Sequence, residues 1–442
     1  MPFLLLFFSF FSPLVVLTVA ALRAYFTLAM NPRNTHVMRT IEDCPKDSSQ
    51  AGLLFYSLLQ RMALVVVILF MPVGISELKA QADITKIKGT YPGIVLGYGY
   101  GNILHTNGFV KGDNQAGKPM KSFQSFSLKM LWQNPGYQAW QRIYNIPYYG
   151  FGVSLGDLFN PDEIGYPISF YGVLGIPIKR WDKLEIYTEL QLGLASNWIQ
   201  YDPDTNPKNI AIGSDLTSHL NFGFRAFYPF GEKLDLGAGI SFTHFSNGGL
   251  ERPNYGINSL APYFDLKYRW AGRPEIPELK APDPLELKKE IVLTGSYSRY
   301  QTIADTLDLH YYTVAGLSSY FLWQHTEAIK SGFGLDLNIL TGLNIDPMGY
   351  PNPLCLDNLT LGFGYQLEFL FNRLSIVGGL GNYALHVVYK PFHQFYQRIG
   401  IKLYLLKNLY TGVNVRTINF GTAEYLEFNL GYRIWSAKRK NS

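Results

Sequence analysis

The sequence has little charge and almost no cysteine for its length. Charged residues make up 16% of its 442 residues, and the two cysteines are Cys44 and Cys355. Cys44 precedes a predicted signal peptide, so the exported chain would carry one thiol and no disulfide framework. The motif HExxH and Cys/His groups with zinc spacing are absent from the sequence. We therefore expect neither a metal nor another cofactor.

Clusters of basic residues are also missing. The formal net charge is +5, and the Lys and Arg residues are dispersed along the chain, which argues against a nucleic-acid binder. In contrast, aromatic residues reach 15% and there are 42 glycines, more than is typical of a soluble enzyme. Transmembrane β-barrels have such a composition, because only every second residue of a strand faces lipid.

The N-terminal part of the chain predicts export. Residues 62–82 follow a basic residue, Arg61, and combine an apolar core with the small-x-small ending Ala80-Gln81-Ala82. This is the pattern of a signal peptide. Since a signal peptide begins near the start of translation, we interpret residues 1–61 as an over-extended N-terminus. The alternative is a genuine N-terminal membrane anchor, because the first apolar run is long enough to span a bilayer.

After residue 83 the chain alternates between apolar and polar residues in segments of about ten, separated by turn residues. Roughly sixteen such segments form two eight-strand units, 83–271 and 290–442. The connector at 272–289 is charged and carries prolines that a central strand would not tolerate: Pro274, Pro277, Pro282 and Pro284. We predict an all-β, transmembrane antiparallel β-barrel protein. The pattern leaves open whether the units form two small barrels or one sixteen-stranded barrel.

The two units resemble each other in sequence. With a two-residue gap, "FGFRAFYPFGEKLDLGAGISFTHFSNGG" in the first unit matches "IGIKLYLLKNLYTGVNVRTINFGTAE" in the second. The alignment places Asn419 at the position of His244 and Gly421 at the position of Ser246. The second unit would then lack a base and a nucleophile. We expect it to be structural or to hold substrate.

The segment "SFTHFSNGGL" places two reactive side chains near the end of one strand. His244 and Ser246 are two residues apart, so both continue the apolar, lipid-facing row of the strand. An imidazole within reach of a serine can take its proton and make it a nucleophile. The following strand brings Asn258 to the same face, where its oxygen would accept the ring N–H.

The loop between these two strands offers donors for an oxyanion. Asn247 and Asn254 carry side-chain amides, and Gly248 and Gly249 have backbone N–H groups. Glu251 lies in the same loop and is the alternative partner of the histidine.

The segment "HFSNGGLERPNYGIN" resembles the corresponding motif of the lipid A 3-O-deacylases, which are outer-membrane β-barrel acyl ester hydrolases. The resemblance covers the first unit and implies that His244 is the general base and Ser246 the nucleophile. It also implies an oxyanion role for Asn254. Well-known members have a glutamate where this chain has Asn258, and an amide orients the imidazole without stabilising the imidazolium as a carboxylate does.

Other histidines favour plainer interpretations. In "LHTNG", His105 and Thr106 are adjacent and point to opposite faces, so we predict a turn there. We place His219 in the barrel lumen. His386 and His393 lack a carboxylate at ligand spacing, so no metal site is expected.

The resemblance therefore implies a serine esterase of the bacterial outer membrane that removes an ester-linked acyl chain from lipid A of lipopolysaccharide. Its partners would be lipopolysaccharide and membrane lipid, and not nucleic acid. Two alternatives stay open: a non-catalytic outer-membrane barrel (a pore or a structural or binding protein) and a phospholipase that uses the same dyad. The acyl position that is cleaved and the formation of a homodimer also stay open.

Overall fold

The computed structural model describes residues 91–274, 287–301, 312–340, 359–386, 395–418 and 421–438. The predicted signal peptide, residues 1–61 and most of the 272–289 connector lie outside the described residues, as do Cys44, Cys355, His393 and Asn419. In the segments described, no helix is long and apolar enough to cross a membrane.

The first unit is a closed barrel of eight antiparallel strands joined in chain order, with β8 pairing back onto β1. Its strands are β1 (Pro92–Leu104), β2 (Ser122–Trp132), β3 (Tyr148–Asp157), β4 (Gly165–Trp181), β5 (Leu184–Trp198), β6 (Thr217–Phe230), β7 (Leu234–Ser246) and β8 (Ile257–Arg269). Three short helices lie in its connections: α1 (Gly108–Lys111), α2 (Ala139–Ile143) and α3 (Pro161–Ile164).

The second unit is a separate closed barrel, so the question of two barrels or one is resolved in favour of two. Its strands are β9 (Lys288–Tyr300), β10 (Tyr312–Gln324), β11 (Ile329–Leu340), β12 (Leu359–Phe371), β13 (Leu374–His386), β14 (Phe395–Tyr404), β15 (Leu409–Ile418) and β16 (Thr422–Lys438). The aligned segments of the two units are β6–β7 and β14–β15, which are the sixth and seventh strands of their units.

The lumen of the first barrel is filled by paired charges. Lys129 Nζ lies 3.1 Å from Glu189 Oε1, and Arg225 Nε lies 3.4 Å from Asp265 Oδ2. All four side chains are buried, and the attraction within each pair offsets part of the cost of taking the charges out of water. The cavity that remains at the centre of the described lumen is about 10 Å³, which is about the space of one water molecule.

The second barrel is filled in the same manner. Arg398 Nε lies 2.6 Å from Glu427 Oε2, and Arg398 Nη2 lies 3.3 Å from Asp336 Oδ1. Its central cavity, within the described residues, is about 30 Å³. In both barrels the apolar members of the alternating pattern face outward and the charged members face the lumen, as the pattern predicts.

His219 lies in the lumen of the first barrel, as predicted. Its Nδ1 is 3.0 Å from Ser169 Oγ, its Nε2 is 3.2 Å from Gln191 Oε1, and its ring stacks on Tyr171. Both ring nitrogens are therefore engaged in packing the interior.

Long loops fold over one end of the first barrel. The connections 105–121, 158–164 and 199–216 contribute apolar side chains to a buried cluster that also includes the inward residues at the ends of β7 and β8. The members nearest those ends are Phe245 and Ile257. This cluster holds the end of the β7–β8 hairpin against a rigid support.

Candidate active site

The pleat of β7 places His244 and Ser246 on the outer wall of the barrel. Leu236 and Ile240, on the same face of the strand, are 48% and 45% exposed. The alternate residues, such as Phe245, are buried inside. His244 and Ser246 thus continue an outward apolar row at the end of the strand.

The structure brings the three predicted side chains into contact. His244 Nε2 lies 2.8 Å from Ser246 Oγ, and His244 Nδ1 lies 2.7 Å from Asn258 Oδ1. Asn258 is directly opposite His244 in the β7–β8 ladder, which is the arrangement in which same-face side chains approach most closely. His244 Nδ1, for which Glu251 was the alternative partner, is therefore bonded to Asn258.

The orientation of the Asn258 amide defines the tautomer of His244. Its Nδ2 donates to Thr106 Oγ1 over 3.1 Å, so its Oδ1 is the atom that faces the imidazole. The oxygen accepts a hydrogen bond from the Nδ1–H group, which leaves Nε2 as the acceptor. Since Nε2 faces Ser246, the ring is arranged to receive the hydroxyl proton.

The segment "LHTNG" supports the site through hydrogen bonds. Its sequence predicts a turn, and the sequence reasoning missed this support. The segment forms no dyad, but Thr106 binds Asn258 and Asn107 Nδ2 donates to Gly256 O over 2.9 Å. Asn107 also caps α1 by accepting from Val110 N. The signal that would have found this support is barrel closure, which pairs β1 with β8 and sets Leu104 opposite Asn258.

The loop 247–256 is organised around the side chain of Asn247. Its Nδ2 donates to Glu251 O over 2.8 Å and to Ser214 Oγ over 3.1 Å. Its Oδ1 accepts from Gly249 N over 3.0 Å. The Asn247 amide and the Gly249 N–H are therefore both engaged within the protein, although both remain candidate oxyanion donors by position.

Two other donors in this loop are not engaged in the same way. Asn254 uses its Oδ1 to accept from Asn247 N over 3.1 Å, which holds its amide beside the residue that follows Ser246. Among the described residues, neither Asn254 Nδ2 nor the Gly248 N–H has a hydrogen-bond partner. These two groups are the free donors nearest the serine in sequence.

Gly256 allows the loop to lie against the dyad. Its φ is +71°, and a Cβ built there would lie 2.9 Å from His244 Cε1 and 2.8 Å from Phe245 O. No side chain fits between the loop and the imidazole. The close approach therefore requires glycine at this position.

We expect Gly256→Ala to lower the free energy of unfolding by more than its backbone strain. The positive φ costs about 1–2 kcal/mol, and the overlap with the imidazole adds about 1–3 kcal/mol. Gly231→Ala is the matched control, because Gly231 has a φ of +76° and nothing within 4 Å of its Cβ position. Urea unfolding in detergent micelles measures both variants. Equal losses at the two positions would contradict the close packing of Gly256 on His244.

Two family models match the chain, one on each barrel. Residues 125–267 match the model described as lipid A 3-O-deacylase (PagL), and residues 288–437 match the model described as acyloxyacyl hydrolase, C-terminal domain. No protein among those with curated descriptions matches the chain. Each match lies within one barrel, and the boundary between the two matches falls in the connector between the barrels.

The chain is also similar to solved outer-membrane barrels. The crystal structure of the outer membrane enzyme PagL is 18% identical and covers 39% of this chain and 97% of its own, with a TM-score of 0.26. The Acinetobacter baumannii outer membrane protein Omp33 is 6% identical; the match covers 78% of this chain and 99% of Omp33, with a TM-score of 0.16. An outer membrane channel from Pseudomonas putida F1 is 9% identical; the match covers 80% of this chain and 97% of the channel, with a TM-score of 0.18. At these TM-scores the structural matches carry no argument about function.

Proposed function

Because the chain belongs to the lipid A 3-O-deacylase family and is located in the bacterial outer membrane, we propose that it is a serine esterase that removes an ester-linked acyl chain from lipid A. The observation that carries the proposal is the pair of hydrogen bonds that joins Ser246 to His244 and His244 to Asn258 on the outer wall. A nucleophile, a base and an orienting group in that order form the working arrangement of serine hydrolases.

The reaction follows from the geometry of these groups. His244 Nε2 takes the hydroxyl proton as Ser246 Oγ attacks the ester carbonyl. The resulting oxyanion is held by Asn254 Nδ2 and the Gly248 N–H. His244 then gives its proton to the leaving alkoxide, and an acyl-enzyme remains. A water molecule, deprotonated by His244, then attacks the acyl-enzyme; His244 returns that proton to Ser246 Oγ as the C–O bond breaks, which releases the fatty acid and restores the free serine. No step requires a cofactor.

Asn258 has a narrower role than a carboxylate would have. While the imidazole is neutral, Asn258 keeps the proton on Nδ1 and therefore the lone pair on Nε2, facing Ser246. It adds no negative charge to stabilise the imidazolium that forms when Ser246 attacks. The proposed enzyme therefore relies on orientation and on the oxyanion donors more than on a charged third member.

The position of the dyad suits a substrate that is itself a membrane lipid. His244 and Ser246 lie at the end of β7 that carries the long loops, and in outer-membrane barrels the longer loops are on the outer side of the membrane. Lipid A occupies that leaflet. An ester bond would reach Ser246 laterally along the barrel wall, without passing through the lumen.

The pore alternative depends on the space inside the two barrels. Within the described residues, the lumen cavities of about 10 and 30 Å³ adjoin buried ionic side chains and tyrosines, and each could hold about one or two water molecules. A larger cavity of about 410 Å³ opens at one end of the second barrel, beside Glu290, Lys330 and Arg433.

Mass spectrometry of lipid A from cells with and without the protein tests the proposed function. We expect lipid A to lose the mass of one acyl chain only when the protein is present, while the phospholipids keep both of theirs. Unchanged lipid A would contradict the proposal. Loss of acyl chains from phospholipids alone would instead favour the phospholipase alternative, in which the same dyad acts on another substrate.

A further inference from the structure

The loop that follows the nucleophile lies against the second barrel. A Cβ built on Gly248 would lie 2.5 Å from Leu426 Cγ, and one built on Gly249 would lie 3.0 Å from Glu424 O. Both glycines have positive φ, +68° and +88°. The main chain of the loop therefore packs directly on the first residues of β16, with no room for a side chain between them.

A second contact fixes the loop four residues further on. Arg252 N donates to Gln301 Oε1 over 2.6 Å, and Arg252 Nε donates to Gln301 O over 3.1 Å. Arg252 Nη2 also reaches Ala423 O at 3.4 Å. Gln301 is 3% exposed, and burial lowers the pKa of the Arg252 guanidinium. The contact is desolvated, which strengthens its hydrogen bonds relative to those at a wet surface.

These two contacts lie close in sequence to the free oxyanion donors. Gly248, whose N–H is one donor, is itself in contact with Leu426. Asn254, whose amide is the other, is two residues after Arg252 and is held within the first barrel by Asn247 N. Residues of the second barrel therefore contact the loop at Gly248 and Arg252, and the first barrel holds it at Asn254.

In sequence, the second unit has neither a histidine nor a serine at the positions aligned with His244 and Ser246. Gly421, which aligns with Ser246, immediately precedes β16 and has no side chain. The barrel nevertheless presents β16 and the end of β9 to the loop of the first barrel. Its contribution to the site is the surface on which that loop rests.

We propose that the second barrel is the positioning element of the active site, and that Gln301 and Leu426 hold the oxyanion loop in place. This inference rests on the proposed function, because it assigns a role within that reaction. Donors must lie close to their ideal position, and misplacement by about 1 Å can cost about a hundredfold in rate. Interactions that act on the oxyanion affect the transition state, so their loss lowers kcat while KM stays the same.

Gln301→Ala in the full-length protein tests the inference, with fatty-acid release from lipopolysaccharide as the readout. We expect kcat to fall about ten- to a hundredfold, because Arg252 N loses its acceptor and the loop can shift by a fraction of an ångström. KM should stay at the wild-type value, and the protein should remain folded, although the lost hydrogen bond lowers the urea unfolding midpoint. Gln301→Glu keeps an oxygen acceptor for Arg252 N and should restore kcat.

Leu426→Ala tests the other contact. Removal of the side chain leaves a space behind Gly248, so kcat should fall and KM should not change. Leu335→Ala is the matched control, since Leu335 also faces outward on the second barrel but is 50% exposed and lies on β11, away from the loop. It should retain the wild-type kcat.

The outcomes separate this inference from the proposed function. An active wild-type protein whose kcat is unaffected by Gln301→Ala and Leu426→Ala would overturn the positioning role and leave the esterase intact. Equal damage from Gln301→Ala and Gln301→Glu would also overturn it, because the acceptor would then not matter. A wild-type protein with no deacylase activity would overturn both.

Discussion

Ser246→Ala is expected to abolish the release of fatty acid from lipopolysaccharide and to leave the barrel folded. The side chain of Ser246 makes its hydrogen bond with His244 Nε2, whereas its main chain is held by the ladder to β6, where Ser218 Oγ donates to Ser246 O over 2.8 Å. Removing one oxygen therefore removes the proposed nucleophile without disturbing the strand. Losses of a serine nucleophile reach about 10⁶-fold in kcat.

The measurement is the initial rate of fatty-acid release by purified protein in detergent, with urea unfolding as the check on folding. The second barrel supplies a matched control. His325 Nε2 lies 2.7 Å from Ser331 Oγ, and in the described residues His325 Nδ1 has no hydrogen-bond partner. Ser331→Ala should keep the wild-type rate.

Two results would contradict this assignment. Appreciable release by Ser246→Ala would remove the nucleophile from Ser246. Loss of release in Ser331→Ala would move the chemistry to the second barrel, where a histidine and a serine are also in contact but no third group among the described residues orients the ring.

His244→Gln is expected to lower kcat by about 10⁴- to 10⁶-fold, the range seen when members of a catalytic triad are removed. Glutamine can still bond to Ser246 Oγ but cannot take its proton, so the test separates proton transfer from hydrogen bonding. His325→Gln is the corresponding control and should not change the rate. In the proposed reaction His244 and Ser246 act as one unit, so the double variant with Ser246→Ala should be no slower than either single variant.

A fluorophosphonate ester that labels activated serines gives a second readout for His244→Gln. The wild-type protein should be labelled at Ser246, and the variant should not. Labelling of Ser246 at the wild-type rate in His244→Gln would show that the imidazole does not activate the serine. Additive losses in the double variant would show that the two residues do not act together.

The sequence by itself determined which side chains face lipid and which face the lumen. The direction of a strand side chain depends only on its place in the two-residue period, so Leu236 and Ile240 had to share a face with His244 and Ser246. The direct pairing of Asn258 with His244 confirms the hairpin arrangement inferred from the same period. Both are local properties, so the alternation of residues along each strand is enough to predict them.

Only the tertiary structure decided how the site is supported. Closure of the barrel brings Thr106 to Asn258 across 152 residues of sequence, and packing against the second barrel brings Arg252 to Ala423 across 171. The periodicity of the chain is the same for two eight-stranded barrels as for one of sixteen strands. It does not specify which loop of one barrel contacts which strand of the other. Such contacts depend on how strand ends and loops meet in three dimensions, and this determines which donors around Ser246 are engaged and which are free.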